Sequence, residues 1–332
     1  MNPLRTLAAC TAVLLLVLAG GSPQTARAAQ CTDVSTCISQ LRFGETQALR
    51  ELAAERLGER GAPDAIPYLA EALAKDDGEF VRVNAAQALG QIGTIASVKP
   101  LTQALANDKR ELVRVAAGRA LGNIQAQDAA TDLVTALQKD PEWQVRAASA
   151  ESLGQLQPPG AVVTALSAQL LNDGRVEVRI AVADALASLK AKEGATALVH
   201  AMRDDPVPDV RIAATKALGV VIDGEAVDKA LLAALQEERE RIVRRTIVET
   251  MGQRKRETVS AGLVHALQMD PAIEVRTAAA GALGQIGGQV ARDALSYYAK
   301  NSLFPQVRRA AQDALAVLPE APASKPIASA NE

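Results

Sequence analysis

Two histidines, His200 in LVHAM and His265 in LVHAL, are the side chains best suited to proton transfer or metal ligation near neutral pH. Each stands eleven residues before an arginine, Arg211 and Arg276, that heads a recurring motif. Equivalent positions two helix pairs apart are separated by roughly 20 Å when neighbouring pairs stack at about 10 Å. That is too far to share one metal ion. Both are expected as partly buried histidines on helix surfaces. The chain has no Gly-rich phosphate loop and no GxSxG elbow. The acid pairs Asp204-Asp205 and Glu237-Glu238 recur at turns, which suits turn chemistry better than catalysis. The sequence therefore predicts no catalytic set, no metal, no cofactor and no enzyme.

Cysteine chemistry is equally limited. The first 28 residues read as a signal peptide: a basic start at Met1–Arg5, the apolar run AVLLLVLAG, and Ala26-Arg27-Ala28 as the small-x-small cleavage site. The apolar run is too short to span a bilayer comfortably, and no later segment approaches that length. Leu7-Ala8-Ala9-Cys10 has the look of a lipobox, but its apolar run follows the cysteine, so a lipoprotein is not expected. Cleavage leaves Cys31 and Cys37, which in an exported chain most simply form one disulfide closing CTDVSTC. A redox pair would want CxxC spacing. The expected location is periplasmic or secreted. Removing residues 1–28 leaves 34 basic against 38 acidic side chains, without the basic stripe that nucleic acid demands.

The elements that position these residues follow from a repeat. VRVNAAQALGQIG at Val81–Gly93 carries an arginine that returns as Arg50, Arg82, Arg114, Arg146, Arg179, Arg211, Arg244, Arg276 and Arg308, at gaps of 32 or 33 residues. A period of that size means stacked supersecondary units. Ala65–Lys75 has apolar residues at helical spacing, Asp76-Asp77-Gly78 breaks it, and Val81, Ala85 and Leu89 then line one face of a second helix. We call the two helices of each unit A and B. Asp140-Pro141, Asp205-Pro206 and Asp270-Pro271 are expected to mark B-helix starts, with proline at the first helical position. Gly58, Gly90, Gly122, Gly154, Gly219, Gly252 and Gly284 share the position eight past the arginine. They signify either close approach of a neighbouring backbone or the end of helix B. The array spans residues 29–318 as an all-α solenoid of nine helix pairs. Residues 319–332, rich in Pro, Ala and Ser, are expected to form a disordered tail.

Helix A, a turn Asp and VRxxAAxALG on helix B together resemble HEAT repeats of the bacterial type first noticed in phycobilin lyases, over roughly residues 32–318. The resemblance implies a right-handed-type superhelix and a structural ladder in which turn acids and arginines link adjacent repeats. Its members would be Asp76, Arg82, Asp108, Arg114, Asp140, Arg146, Asp173, Arg179, Asp205, Arg211, Glu238, Arg244, Asp270 and Arg276. Exposed members would each add about 0–1 kcal/mol. Gly44 and Ser302 replace the acid in the first and last units, as atypical caps do. A di-iron HEAT hydroxylase such as deoxyhypusine hydroxylase uses several His-Glu pairs, and this chain has none.

In such solenoids the B helices line the concave face. Five residues past the arginine the chain varies, through Gln87, Arg119, Glu151, Asp184 and Lys216; one past it stand the apolar Val83, Val115, Ile180 and Ile212. This band is expected either to bind a segment of a protein partner or to be a solvated face. The charged seventh unit, Arg239 to Arg256 with Glu237, Glu238 and Glu240 interleaved, reads as a self-paired surface or a hold for an acidic partner. Trp143 reads as a packed repeat junction or an exposed anchor. A non-enzymatic exported scaffold is the leading function; a lyase-like or hydroxylase-like enzyme, or an envelope spacer, are the alternatives.

Overall fold

The structure is a computed structural model describing residues 31–156, 160–221 and 224–318. The expected signal segment and Pro/Ala/Ser tail lie outside the described residues. All eighteen long elements are α-helices, with no strand among the described residues. They fall into two units, divided between Leu156 and Gln157.

Unit one holds α1 (Val34–Phe43), α2 (Gln47–Glu59), α3 (Ile66–Lys75), α4 (Glu79–Ile92), α5 (Val98–Asn107), α6 (Glu111–Asn123), α7 (Ala130–Lys139) and α8 (Trp143–Leu153). Unit two holds α9 (Gly160–Asn172), α10 (Val176–Ser188), α11 (Ala195–Asp204), α12 (Pro208–Val220), α13 (Glu225–Glu237), α14 (Arg241–Arg254), α15 (Ser260–Met269), α16 (Ile273–Ile286), α17 (Gly288–Asn301) and α18 (Pro305–Val317). Odd-numbered helices are A and even-numbered ones are B. Within each unit the B helices stack directly on one another, and each A helix packs on its own B helix. Each unit is thus an α-solenoid of helix pairs.

The apolar stripes are what require the stacking. Leu69 of α3 and Val81, Ala85 and Leu89 of α4 are fully buried, and the same columns recur as Leu101, Val113, Ala117 and Leu121 one pair later. A buried leucine is worth about 1.5–3 kcal/mol, and no single pair can cover its own stripe. Cys31 and Cys37 are joined by a disulfide, Cα to Cα 4.7 Å, ahead of and within α1. Both are buried, and Arg60 donates to the backbone carbonyls of Cys31 and Thr32 at 3.4 and 3.1 Å. The staple secures the first pair, which has no neighbour on its outer side among the described residues.

Between the two sequence readings of the repeated glycine, the structure selects close approach. A Cβ on Gly58 would stand 2.7 Å from the Ala88 Cα, one on Gly90 2.9 Å from the Ala120 Cα, and one on Gly252 2.8 Å from the Ala282 Cα. In six pairs helix B ends further on, at a left-handed residue eleven past the arginine, Gly61, Gly93, Gln125, Lys190, Lys255 and Gly287, whereas in the fourth pair the repeat glycine, Gly154, is itself the C-cap. The proline expectation is also corrected. Pro141, Pro206 and Pro271 lie two residues ahead of α8, α12 and α16, inside the turn. There the aspartate before each proline accepts the backbone N–H of the residue after it: Glu142, Val207 and Ala272, at 2.9, 2.9 and 2.8 Å. Proline between them has no N–H to leave unpaired.

Candidate functional site

The arginine ladder is built inward, away from any ligand. Apart from Arg276, which uses Nε, each repeat arginine donates Nη1 to the carbonyl of its own turn residue six back, as Arg82 does to Asp76 at 2.9 Å and Arg179 to Asp173 at 2.9 Å. Its remaining nitrogens form a fork on the turn acid of the next pair, 26 or 27 residues ahead. In unit one the rungs are Arg50–Asp76, Arg82–Asp108 and Arg114–Asp140, with Nε to carboxylate distances of 2.7, 2.8 and 2.7 Å. In unit two they are Arg179–Asp205, Arg211–Glu238 and Arg244–Asp270, at 2.7, 2.7 and 2.8 Å. The rungs are far less exposed than the sequence reading allowed, with both Arg114 and Asp140 side chains under one tenth accessible. Bidentate, screened pairs of this kind are worth more than surface ones.

The ends of the array use substitutes. Arg50 and Arg308 donate to the carbonyls of Gly44 and Ser302, at 3.1 and 2.6 Å. Arg276, which would reach an acid at Ser302, instead lies over the Phe304 ring at 5.0 Å.

The acids carry a pH consequence. Burial works to raise Asp76, but the Arg50 fork and the Gly78 N–H outweigh it and hold the carboxyl below its ordinary value; Glu238 is held down in the same way by Arg211 and the Glu240 N–H. A folded pKa below the unfolded one gives stability that is complete above the unfolded pKa and lost as pH falls through the folded one. Helicity should therefore be level from neutral pH down to about 5 and collapse below about 4, read by circular dichroism. Arg114→Lys keeps the charge but loses the fork, and should lower stability by about 1 kcal/mol in urea titration.

Above this frame lies the B-helix face. In unit one, Val83 and Val115 are half-buried and Gln87, Arg119 and Glu151 exposed. Arg119 and Glu151 pair with each other at 3.3 Å. Phe80 and Leu112, three residues ahead of those valines and one helical turn away, are 53% and 43% exposed. Sequence reasoning passed over both, although their position two before the arginine is as regular as the valines'. In unit two, Ile180 and Ile212 are half-buried and Asp184 and Lys216 exposed, with Val220 and Ile242 as exposed large apolar side chains.

Other sequence candidates resolve plainly. His200 and His265 are exposed, not partly buried, and His200 Nδ1 stands 3.7 Å from Asp204. Among the described residues no three His, Cys, Asp or Glu side chains are grouped to hold a metal. Trp143 is half-buried at the start of α8. The seventh unit is largely self-paired: Arg241 with Glu274 at 3.1 Å, Arg245 with Glu249 at 2.7 Å, Arg244 in the ladder. Its centre escaped the sequence reading. Asp228, 1% exposed near the start of α13, receives Arg254 at 3.0 Å, Thr258 at 2.7 Å and Arg256. Arg254 also donates to the carbonyls of Leu218 and Val221 at 2.9 and 3.3 Å.

Stacked helix pairs with an arginine–acid ladder define an α-solenoid of short repeats. The family model for HEAT repeats matches residues 34–122, 98–164, 130–219, 163–246 and 228–316, and the chain belongs to the HEAT-repeat family. Among solved structures, the karyopherin Kap121p bound to the extreme C-terminus of the phosphatase Cdc14p is similar at 13% identity and TM-score 0.63, over 96% of this chain and 41% of that one. YibA of E. coli is similar at 20% identity and TM-score 0.50, over 82% and 99%. The CpcE–CpcF phycocyanin lyase complex of Nostoc sp. PCC7120 matches at 20% identity and TM-score 0.38, over 87% and 96%. These likenesses concern the fold. Among curated proteins none matches the chain. No helix among the described residues is long and apolar enough to cross a membrane.

Proposed function

We propose that the chain is an exported, non-catalytic scaffold that binds another protein along its B-helix face. The observation that carries this reading is the contrast between frame and face. The ladder charges are consumed internally, while Phe80, Leu112 and Ile242, each two before its arginine, and Val220, nine past its own, keep large apolar surface in water. Kap121p, a HEAT solenoid, is a precedent for holding a segment of another protein. Two exposed histidines on separate helices support a non-catalytic reading, and a signal-like first 28 residues with a Cys31–Cys37 disulfide supports export to an oxidising compartment.

The test is a photo-crosslinking amino acid at Gln87 or Lys216 in cells, with fractionation and identification of the adduct. A discrete adduct in the periplasmic or secreted fraction, lost when the crosslinker is moved to His200 on an A helix, is the expected result. Substrate turnover or a bound chromophore in the pure protein would favour a lyase-like or hydroxylase-like role instead. No adduct at any B-helix position leaves an envelope spacer.

A further inference from the structure

We infer that the B-helix face of unit one is polarised for a cationic amphipathic helix of a partner protein, with its basic end over α2 and its apolar side over α4 and α6. This rests on the scaffold reading above and adds the chemistry and direction of the bound segment.

The direction comes from the order of side chains across three neighbouring helices. On α2 the face positions are Glu51, Glu55 and Glu59, four apart, so three carboxylates run down one line of one helix. Glu51 accepts a hydrogen bond from Gln47 at 2.7 Å, and none of the three forms an ion pair with a described cation. Arg50 of the same helix is engaged on Asp76 and Asp77, and Arg60 just past it on the carbonyls beside the disulfide; Arg56, within the helix, forms no ion pair with Glu55 or Glu59. The corresponding positions on α4, Gln87 and Gln91, are neutral amides and offer the carboxylates no counter-charge. Like charges in this register repel along the helix, and a cationic partner removes that repulsion.

Beside Glu51, toward the N-terminal ends of α4 and α6, the face turns apolar. Phe80 and Val83 on α4 and Leu112 and Val115 on α6 occupy matching positions, and Phe80 and Leu112 are 53% and 43% exposed. Beyond them, Arg119 and Glu151 cancel each other across α6 and α8 at 3.3 Å. The face thus reads acid, apolar, self-neutralised. Packed helices lie about 8–10 Å apart, so two apolar anchors on a bound helix rising 1.5 Å per residue would stand about two turns from each other. Basic residues would precede them at the α2 end.

The test uses a fluorescent 18-residue lysine–leucine amphipathic peptide and the full chain, read by anisotropy at low salt. Binding is expected, weakened at least tenfold by Glu55→Lys with Glu59→Lys, and at least tenfold by Phe80→Asn with Leu112→Asn. Raising salt should weaken the unaltered chain and scarcely affect the acid-reversed variant. A peptide of equal charge with serine for leucine should not bind. Thermal melts confirm that each variant folds. A less than twofold effect of the acid reversal, or equal binding of the serine peptide, overturns the inference, since charge alone would then account for it. So would self-association lost with Leu112→Asn, which would make the occupant a second copy. If the peptide fails while a crosslinker at Lys216 still captures a protein, the scaffold reading stands and only this polarity is wrong.

Discussion

Asp228→Ala should destabilise the chain by about 3–5 kcal/mol, a larger loss than removal of any ladder fork, because it removes a buried carboxylate that Arg254, Arg256 and Thr258 share. The Arg254 side chain is 7% exposed and its carboxylate partner 1% exposed. Without Asp228, Arg254 loses that carboxylate while it still donates to the backbone carbonyls of Leu218, Val221 and Gly224. The companion prediction is that Asp228→Val with Arg254→Leu recovers most of the loss, to within about 1.5 kcal/mol of the starting chain. The reason is the repeat itself. Ten residues past the arginine seven other units carry Ile92, Ile124, Leu156, Leu189, Val221, Ile286 and Leu318, with Arg60 in the first; sixteen before it six carry Val34, Ile66, Val98, Ala130, Val163 and Ala195, with Ser260 and Arg292 in the last two. The seventh unit places an ion pair at two positions that are apolar in most of the other units. Arg256, 40% exposed, can turn to water when Asp228 is gone. Urea midpoints by circular dichroism on the single and double variants decide it. A double variant as unstable as Asp228→Ala would mean that the network stabilises through something other than its own charge balance.

The carboxylate adds an acid signature. Burial raises Asp228, yet the hydrogen bonds from Thr258, Arg256 and Arg254 outweigh it and hold the group below its ordinary value. Its contribution is therefore complete above about pH 4 and disappears as pH falls further, in the same window as the ladder acids. The double variant should show a shallower acid transition than the unaltered chain.

Most of the architecture was legible because period, stripe and turn all point the same way. Val81, Ala85 and Leu89 specify a buried face wherever they recur, and the turn acids locate the breaks between helices. What sequence left open was pairing. With a constant period, an acid six before each arginine is also 26 after the previous one, so Asp108 belongs equally well to Arg114 or Arg82. Only coordinates show the side chain reaching forward and the carbonyl backward. The histidines were misjudged because LVHAM flanks His200 with apolar residues, whereas its own position on α11 faces water. The helix ends were hidden for a different reason. The left-handed position is Gly in three pairs but Gln125, Lys190 and Lys255 in others, so its residue types show no pattern. Arg254 and Asp228 were obscured by a charged neighbourhood, although each stands at a position that is apolar in most other units. That coincidence was the available signal.

Two glycines of the B helices should respond to a side chain in opposite directions. Gly90→Val on α4 should cost about 3 kcal/mol, since a Cβ there would lie 2.7 Å from the Ala120 Cβ and 2.9 Å from its Cα. Backbone of a packed neighbour cannot move aside as a flexible side chain can, so α4 and α6 would have to separate. The displacement would disturb Arg82–Asp108, the rung between the same two pairs, at 2.8 Å. Gly281 on α16 sits five past its arginine, on the exposed face, and a Cβ there meets nothing within 4 Å. Gly281→Ala should therefore stabilise by about 1 kcal/mol, the helix preference of alanine over glycine acting without a steric cost. The pair separates close approach from helix propensity as the reason for small residues in these helices. Equal and favourable shifts at both positions in urea titration would show that the B helices have room to spare, and would remove the steric basis for their tight stacking.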